Sequence, residues 1–328
     1  MPLPTQTGPL GSTGRRVTRL GLGTAPLGGL YAPVSDAEAE ATIARAWDLG
    51  LRVFDTAPQY GNGLSERRLG AFLAGKPRDS YVLCTKVGRL LRRPAEAAGE
   101  DAYYKGTPPE RPVFDFSYDG VMRSFEESLE RLGTGRIDVL HIHDPDDHYD
   151  AALDGAYRAL DHLRREGVIA AVGAGMNQSE MLADFARAGR FDCFLLAGRY
   201  TLLEQGALAD LLPLCERQGI GVIIGGVYNS GLLANPTSGA KFNYTDADPA
   251  LIARAQQLDA VCQRHGVPLK AAAIQFPAAH PAVASILTGA RNEAEMSENA
   301  ALFRHPIPAA LWEELRALGL IDPAAPTP

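Results

Sequence analysis

Four side chains that can hold or transfer a proton stand at the ends of apolar segments in the first half of the chain. Asp55, Lys86 and His143 each close such a segment, and Tyr60 follows Asp55 after a short turn. His141 precedes His143 by the two-residue period of a strand, so both imidazoles lie on one strand face. Each residue alone is more often structural than catalytic, because perturbed groups cluster at sites only statistically. The combination of a carboxylate, a phenol, an ammonium and an imidazole indicates a catalytic site.

These residue types suit acid–base chemistry on a substrate oxygen. Tyrosine loses its proton at about pH 10 in water, so it acts as an acid or base near neutrality only beside a cation. Lys86 can supply that charge, and a lysine that closes an apolar strand needs a partner to offset its desolvation. Asp55 can hold Lys86 in place and keep it protonated, while His143 can hydrogen-bond the substrate oxygen and orient it.

Apolar runs that alternate with amphipathic stretches must position these residues, and this alternation is typical of strand–helix units and a parallel sheet. Eight strands are predicted, at 19–24, 51–55, 81–86, 137–143, 169–174, 191–197, 220–225 and 283–288. A helix at 35–49 opens with a capping-box pattern, and another at 152–165 ends before Gly167. Eight such units predict an α/β fold, a closed (β/α)8 TIM barrel, because an open doubly wound sheet commonly has fewer strands and a glycine-rich first turn. One barrel domain spanning 1–328 is expected.

Two connections are too long for simple turns. The first covers 89–117 and the second covers 226–247. Loops of this length inside a compact domain are usually functional or mobile. In a barrel, the active site lies where strands end and these loops begin, so we expect both loops over the C-terminal face. The basic cluster Arg89, Arg92 and Arg93 in the first loop is interpreted as a solvated face.

Composition excludes several classes of protein. The 328 residues, 46% hydrophobic and 22% charged, suit a globular protein with a sizeable core. A net charge of −7 argues against nucleic acid as a partner. The sequence has neither a signal-peptide pattern nor a run of about 20 apolar residues, so no membrane association and a cytoplasmic location are expected. The cysteines are spaced without CxxC motifs, which predicts buried free thiols at Cys84, Cys193, Cys215 and Cys262.

The polar segments resemble the motifs of the aldo-keto reductase family in order and spacing. The matching runs are Phe54–Gly61, Thr85–Lys86 and Ile137–Pro145. The resemblance extends from Leu20–Thr24 at the first strand to Ser297–Asn299 near the end of the chain. It implies an NAD(P)-dependent oxidoreductase that transfers a hydride between a nicotinamide and a substrate carbon. The cofactor would be bound extended, without a Rossmann turn.

The same resemblance implies a role for each catalytic candidate. Tyr60 would be the general acid/base, and Lys86 would depress its pKa. Asp55 would pair with Lys86, and His143 would position the substrate carbonyl or hydroxyl. The protein would orient the substrate and supply charge, while the cofactor would supply the hydride chemistry.

Cofactor contacts follow from the resemblance at the positions that match. They are Gly23, Thr24, Asn177, Gly225, Ser230, Gly231, Leu232, Gly289, Arg291, Glu295, Glu298 and Asn299. Asn177 would bind the nicotinamide amide, Ser230 and its neighbours the pyrophosphate, and the residues from Gly289 onward the adenosine. Where many relatives have a tyrosine stacked on the nicotinamide, this chain has Ile224–Gly226.

Glu295 bears on the choice between NAD and NADP, because many relatives have an arginine there beside the 2′-phosphate. A carboxylate would repel that phosphate and could accept a hydrogen bond from a free ribose hydroxyl. NAD is therefore favoured over NADP. Arg291 lies close in sequence and could restore a phosphate contact.

Within the family, three stretches resemble the bacterial aldose 1-dehydrogenases: Gly23–Gly29, Leu195–Leu203 and Gly225–Gly231. The resemblance implies oxidation of a sugar hemiacetal of the L-fucose, L-galactose or D-arabinose type at its anomeric carbon, giving a lactone. Pyridoxal 4-dehydrogenase activity and general aldehyde or ketone reduction are the alternatives. The first long loop offers hydrogen-bond donors and flat rings for either a sugar or an aromatic substrate, from Arg92, Arg93, Tyr103 and Tyr104.

Two interpretations of another class compete with this one. A metal-dependent barrel hydrolase would use the cluster His141, His143, Asp144, Asp146, Asp147 and His148. Such sites need ligands from several strand ends, and apart from Asp55 and the strand that carries this cluster no predicted strand closes in His or Asp, so no metal is expected. A non-catalytic, cofactor-binding regulatory subunit would keep the fold without turnover. The intact acid–base set argues against it.

Overall fold

Eight parallel strands form a closed barrel in the computed structural model, which describes residues 3–94, 102–237, 239–243 and 245–328. In chain order the strands are β1 (Leu20–Gly23), β2 (Val53–Asp55), β3 (Val82–Val87), β4 (Val139–His143), β5 (Ala171–Met176), β6 (Cys193–Ala197), β7 (Gly221–Gly225) and β8 (Val283–Gly289). Each strand pairs with the next, and β8 closes the barrel against β1. The predicted (β/α)8 fold is confirmed, and every predicted strand overlaps an observed one.

Helices surround the barrel. Their bounds are Asp36–Asp48, Leu64–Leu73, Tyr118–Leu132, Arg158–Arg165, Ser179–Ala188, Leu211–Gln218, Pro249–Arg264, Leu269–Gln275, Glu293–Phe303 and Ala309–Ala317. The first helix begins at Ser35, whose hydroxyl accepts a hydrogen bond from the Glu38 N–H at 3.2 Å. The Glu38 carboxylate accepts one from the Ser35 N–H at 3.0 Å, which completes the predicted capping box.

The helix predicted at 152–165 differs from the expectation in its first half. A helical turn at Tyr149–Ala151 leads into a π-helical segment, Ala152–Tyr157, and regular α-helix begins only at Arg158. Gly155 in the π-helical segment packs so closely on the Phe116 carbonyl oxygen that a Cβ there would lie 2.2 Å away. The widened turn and the glycine together bring this helix against the start of the preceding one.

The barrel interior holds its own apolar cluster, separate from the larger core beneath the helices. It comprises Leu10, Val17, Val53, Val82, Cys84, Val139, Ala171, Cys193, Leu195, Ile223, Ala284 and Leu287. Because side chains alternate along a strand, Asp55 follows Val53 on the inward face, and Lys86 follows Cys84. The strand pleat therefore carries the polar side chains inward at the carboxyl end of the barrel.

An N-terminal hairpin that the sequence analysis did not predict closes the opposite end. Its strands, Thr7–Pro9 and Arg16–Thr18, pair in antiparallel fashion. Leu10 at the turn is fully buried in the interior cluster. Gly11, with a φ of +53°, approaches the barrel so closely that a Cβ would lie 2.6 Å from the Asp192 carbonyl oxygen. This hairpin leaves only the carboxyl-terminal end of the barrel open to ligands.

The two long βα loops each contain a short hairpin. In the first, Arg89–Arg92 pairs with Arg111–Phe114, and an isolated bridge joins Tyr104 to Leu30. In the second, Lys241–Phe242 pairs with Thr245–Asp246. The loop predictions also include 95–101, 238 and 244, which lie outside the described residues.

All four cysteines are free and buried. Burial raises the pKa of the Cys84 and Cys193 thiols well above their usual value, which suits the predicted structural role. Among the described residues, no helix combines the length and the apolar character that crossing a membrane requires. The expected cytoplasmic location stays a prediction.

Candidate active site

A buried ion pair lies at the open end of the barrel, between β2 and β3. The Lys86 Nζ atom is 2.7 Å from Asp55 Oδ2, and the two side chains are 1% and 3% exposed. Lys86 also donates a hydrogen bond of 2.9 Å to the Thr56 carbonyl oxygen. Desolvation raises the pKa of Asp55, and the Lys86 charge opposes that rise. The pair fixes the ammonium in one place at the bottom of the site.

Tyr60 and His143 lie directly above this pair. The Lys86 Nζ atom is 4.7 Å from the centroid of the Tyr60 ring. The Tyr60 and His143 rings meet edge to face, with centroids 5.9 Å apart and planes at 84°. Tyr104 from the first long loop stacks on Tyr60 at 6.3 Å. The four predicted catalytic residues thus converge on one point, and the loop contributes a further aromatic wall.

The turn that presents Tyr60 depends on two glycines in contact. Gly61 has a φ of +61°, and a Cβ there would lie 2.2 Å from the Gly28 carbonyl oxygen. A Cβ at Gly28 would in turn lie 2.7 Å from the backbone of Tyr60. The loops after β1 and β2 can pack this closely only because neither position carries a side chain.

The His143 imidazole is neutral. Burial lowers its pKa well below the usual value, and the positive charges of Arg89 and Lys86 add to the effect. His143 Nε2 lies 3.5 Å from Asp144 Oδ2. Beneath it, fully buried His141 is neutral as well, because burial lowers its pKa to about 3. A neutral imidazole can donate one hydrogen bond to a substrate oxygen without adding a charge.

The structure places a further polar group, the guanidinium of Arg89, at the site. Arg89 Nη2 is 2.9 Å from Asp144 Oδ2, and Arg89 also donates to the side-chain oxygen of Gln59. The guanidinium lies over the Phe114 ring at 4.6 Å. Desolvation raises the pKa of Asp144 to about 6, against the effect of Arg89. Arg89 was interpreted as a solvated residue, and that interpretation is wrong because the hairpin folds it back over the site, leaving it 11% exposed.

A cavity of about 320 Å³ opens above these groups. Its walls are formed by Leu30, Gln59, Tyr60, Lys86, Tyr103, Tyr104, His143, Asp144, Asp146, Gly175, Met176, Asn177, Leu195 and Ala197. It therefore contains three of the predicted catalytic side chains, Tyr60, Lys86 and His143, together with a rim of aromatic side chains and two carboxylates. Arg92 and Arg93, which were expected to face the substrate, do not line this cavity. Arg92 instead pairs with Glu127 at 2.9 Å.

A second cavity of about 260 Å³ adjoins the first, and Leu30 lines both. It brings together five of the predicted cofactor contacts: Ser230, Gly231, Gly289, Arg291 and Glu295. At its base the Thr288 hydroxyl is buried and has no hydrogen-bond partner among the described residues. The first cavity contains Asn177 and the second contains Glu295, which are the predicted contacts of the nicotinamide amide and of the adenosine ribose.

The remaining predicted cofactor contacts have partners elsewhere in the protein or lie apart from both cavities. Thr24 is buried and donates to the Asp55 carbonyl oxygen at 2.9 Å. Asn299 accepts a hydrogen bond of 3.0 Å from Tyr228, and Glu298 pairs with Lys270. Neither cavity is lined by Gly23, Thr24, Gly225, Leu232, Glu298 or Asn299. Tyr228, which the sequence analysis did not single out, lines the second cavity.

Glu295 and Arg291 form one unit in the second cavity. Arg291 Nη2 is 2.7 Å from Glu295 Oε1, and the Arg291 N–H donates to Glu295 Oε2 at 2.9 Å. Desolvation opposes ionisation, but these hydrogen bonds hold the pKa of Glu295 below its usual value. The Glu295 carboxylate is therefore charged, and it is ion-paired with the guanidinium of Arg291.

One cluster among the described residues has metal-ligand composition. Atoms of Asp55, Cys84 and His141 lie within 4.8 Å of one another. The metal-dependent hydrolase interpretation required a different group of ligands, from β4 and the loop that follows it, and only His141 belongs to both groups. Asp55 is already paired with Lys86, whose ammonium would repel a cation, so the donor set fits a metal poorly.

The sequence pattern of the aldo/keto reductase family matches residues 19–319. The chain is 45% identical to the pyridoxal 4-dehydrogenase of Microbacterium luteolum, over 95% of this chain and 97% of the relative. It is 43% identical to the D-threo-aldose 1-dehydrogenase of a Pseudomonas species, over 97% of each. An aldo-keto reductase of Bacillus halodurans shares the fold, with a TM-score of 0.75 at 22% identity over 98% of each chain. The chain therefore belongs to the aldo/keto reductase family of nicotinamide-dependent oxidoreductases.

Proposed function

We propose that this enzyme oxidises the cyclic hemiacetal of an aldose at the anomeric carbon and forms a lactone, with NAD as the favoured cofactor. The observation that carries the proposal is the contact of the Lys86 ammonium with the Tyr60 ring, 4.7 Å from its centroid, beside neutral His143. The similarity to a D-threo-aldose 1-dehydrogenase supports an aldose as the substrate.

The chain's own residues would carry the proton transfer. Tyr60 as phenolate takes the proton of the anomeric hydroxyl, and the fixed charge of Lys86 stabilises that phenolate. His143 hydrogen-bonds the same oxygen and orients it. Asp55 acts through Lys86, which it holds at 2.7 Å. A bound nicotinamide supplies the acceptor for the hydride that leaves the anomeric carbon. Reduction of a carbonyl runs through the same residues in reverse.

The cofactor would extend from the first cavity to the second. Asn177 would hold the nicotinamide amide, and Ser230 and Gly231 would face the pyrophosphate. Glu295 would accept a hydrogen bond from the free ribose hydroxyl of NAD and repel the 2′-phosphate of NADP. The pairing of Arg291 with Glu295 supports this preference, because the guanidinium is already bound to a carboxylate.

Pyridoxal is the second candidate substrate. The 45% identity to a pyridoxal 4-dehydrogenase favours it, and the rings of Tyr103 and Tyr104 in the cavity wall suit a flat aromatic ligand. Pyridoxal also forms a cyclic hemiacetal that can be oxidised to a lactone. General reduction of aldehydes and ketones is the remaining alternative, since it needs only the proton-transfer group.

The test is absorbance at the reduced-nicotinamide band while purified protein is offered NAD or NADP with L-fucose, L-galactose, D-arabinose or pyridoxal in turn. Reduction of the cofactor with a sugar is the expected result, with NAD more effective than NADP. Turnover of pyridoxal alone would replace the first candidate with the second. No oxidation of any of the four, together with reduction of simple aldehydes, would leave a general reductase and reject both substrate proposals.

A further inference from the structure

Asp144 stands beside His143, the residue to which the proposed function assigns the substrate oxygen. It directly follows His143, and its Oδ2 atom lies 3.5 Å from His143 Nε2. Its side chain lines the first cavity and is 38% exposed. Its backbone has a φ of +42°, a left-handed conformation that is uncommon for a residue other than glycine. Strained conformations of this kind concentrate at functional sites.

Other residues hold this carboxylate by one oxygen. Arg89 donates to Oδ2 at 2.9 Å, and the guanidinium is fixed in turn by Gln59 and by the Phe114 ring. Within the described part of the chain, Oδ1 accepts no hydrogen bond. The Asp144 backbone N–H donates to the Gly175 carbonyl oxygen at 3.0 Å, which anchors the residue at the strand end. The result is a fixed carboxylate with one oxygen available to a ligand in the cavity.

An ionised carboxylate only accepts hydrogen bonds, so a ligand group that it binds must be a donor. When the substrate oxygen is hydrogen-bonded to His143 Nε2, the carbon next to the reacting carbon can lie beside Asp144. A hydroxyl on that second carbon lies about one hydrogen-bond length from the reacting oxygen. Asp144 is therefore within reach of this hydroxyl, whereas a plain aldehyde offers no donor there.

We propose that Asp144, positioned by Arg89, binds the hydroxyl on the carbon next to the reacting carbon and so selects substrates that carry it. The inference rests on the proposed proton-transfer chemistry at Tyr60 and narrows the substrate class to 2-hydroxyaldehydes and their cyclic hemiacetals. A polar group that is built to bind a substrate hydroxyl discriminates strongly against the analogue that lacks it, because the group is then left unpaired.

Two substrate pairs test the proposal, each differing by one hydroxyl. The pairs are 2-hydroxypropanal and propanal in the reductive direction, and L-fucose and 2-deoxy-L-fucose in the oxidative direction. The wild-type kcat/KM should favour the hydroxylated member of a pair at least about tenfold. Asp144→Ala should lower kcat/KM for the hydroxylated member by about tenfold to a hundredfold and change that for the other member by less than about threefold.

The matched control is Asp147→Ala, which removes an exposed carboxylate from the same loop and should leave all four values unchanged. Because Asp144→Ala leaves Arg89 without its carboxylate partner, the double variant Asp144→Ala/Arg89→Met covers the case of poor folding. It should show the same loss of selectivity as the single variant.

If Asp144→Ala lowered kcat/KM equally for both members of a pair, the proposal would be overturned. Asp144 would then act by orienting His143. A wild-type enzyme that does not distinguish the members would overturn it as well. The aldehyde pair distinguishes failure of the Asp144 proposal from failure of the aldose proposal. Reduction of both aldehydes without oxidation of any sugar would reject the aldose substrate, and the selectivity between the two aldehydes would still test the role of Asp144. If no carbonyl compound or hemiacetal is turned over, both proposals are wrong.

Discussion

At the scale of single residues, the site depends on one cation held next to one phenol. A buried ammonium is costly unless it is paired, and Asp55 provides the pairing at 2.7 Å. In the proposed mechanism the same charge would stabilise a phenolate at Tyr60, so the ion pair that offsets the burial of the ammonium would also serve the chemistry. His143 adds a hydrogen-bond donor that stays neutral because burial and two nearby cations lower its pKa.

Tyr60→Phe should lower kcat by about 100-fold to 10,000-fold, which is the usual contribution of a positioned acid–base group. The ring and its contacts with Tyr104 and His143 remain, so cofactor affinity should stay within about twofold. Stopped-flow turnover and a fluorescence titration with reduced cofactor measure the two quantities. Tyr104→Phe is the matched control, and it should keep most of the activity. Undiminished turnover in Tyr60→Phe would remove this residue from the mechanism.

The raised pKa of Asp144 predicts a pH dependence of substrate selectivity. Asp144 accepts the hydrogen bond of a substrate hydroxyl more strongly when it is ionised, and its pKa is about 6. Desolvation is the main cause of the raised pKa, and the charge of Asp146 adds to it, whereas the charges of Arg89 and Lys86 lower the pKa. The ratio of kcat/KM for 2-hydroxypropanal to that for propanal should therefore fall as the pH drops from about 7 to about 5. The same ratio in Asp144→Ala should not change with pH; a parallel slope in both proteins would contradict the assignment.

At the scale of elements, strand ends and loop hairpins contribute differently. Asp55, Lys86 and His143 lie at the ends of short apolar runs, and each run forms a barrel strand. The alternation of apolar runs with amphipathic stretches was therefore enough to predict the strands. It was also enough to predict that these residues meet at one end of the barrel. The Arg89–Asp144 pair could not be predicted in this way, because it forms only when the hairpin of Arg89–Arg92 and Arg111–Phe114 folds back over β4.

The cofactor predictions show the same limit. Ser230, Gly231, Arg291 and Glu295 face a cavity, but Leu232 is fully buried in the core beneath the helices. Spacing along a loop does not determine which side chain points to the ligand. Backbone conformation does, and here Ser230 and Gly231 both have positive φ values, of 58° and 97°.

The helix Glu293–Phe303 carries the residue that should govern cofactor choice. Glu295→Gln removes the charge that would repel a 2′-phosphate and releases Arg291 to bind it. The ratio of kcat/KM with NADP to that with NAD should rise about tenfold, the effect of roughly 1.4 kcal/mol of lost repulsion and gained attraction. Glu293→Gln, an exposed change in the same first turn, is the control and should leave the ratio unchanged. An unaltered ratio in Glu295→Gln would show that this carboxylate does not contact the ribose.

At the scale of the whole molecule, the closed barrel has its polar site at one end and an apolar plug that stabilises the fold at the other. The polar residues lie at the carboxyl-terminal end, and the N-terminal hairpin inserts Leu10 into the opposite end. This hairpin could not be predicted from the sequence, because its strands are only three residues long and carry no alternating apolar pattern. Residues distant along the chain meet in the site because eight parallel strands bring their ends to one rim.

This separation predicts that Leu10→Ala will weaken the fold without altering the site. Leu10 is fully buried in the interior cluster, and truncation of such a side chain usually costs about 2–5 kcal/mol. The free energy of unfolding in urea should fall by that amount, while kcat/KM at a temperature where the variant remains folded should equal that of the wild type. Leu3→Ala, at a side chain that is 57% exposed, should change neither quantity. A large loss of kcat/KM in folded Leu10→Ala would show that the closed end of the barrel is coupled to the position of Lys86 through the interior cluster, which includes Cys84, two residues before Lys86 on β3.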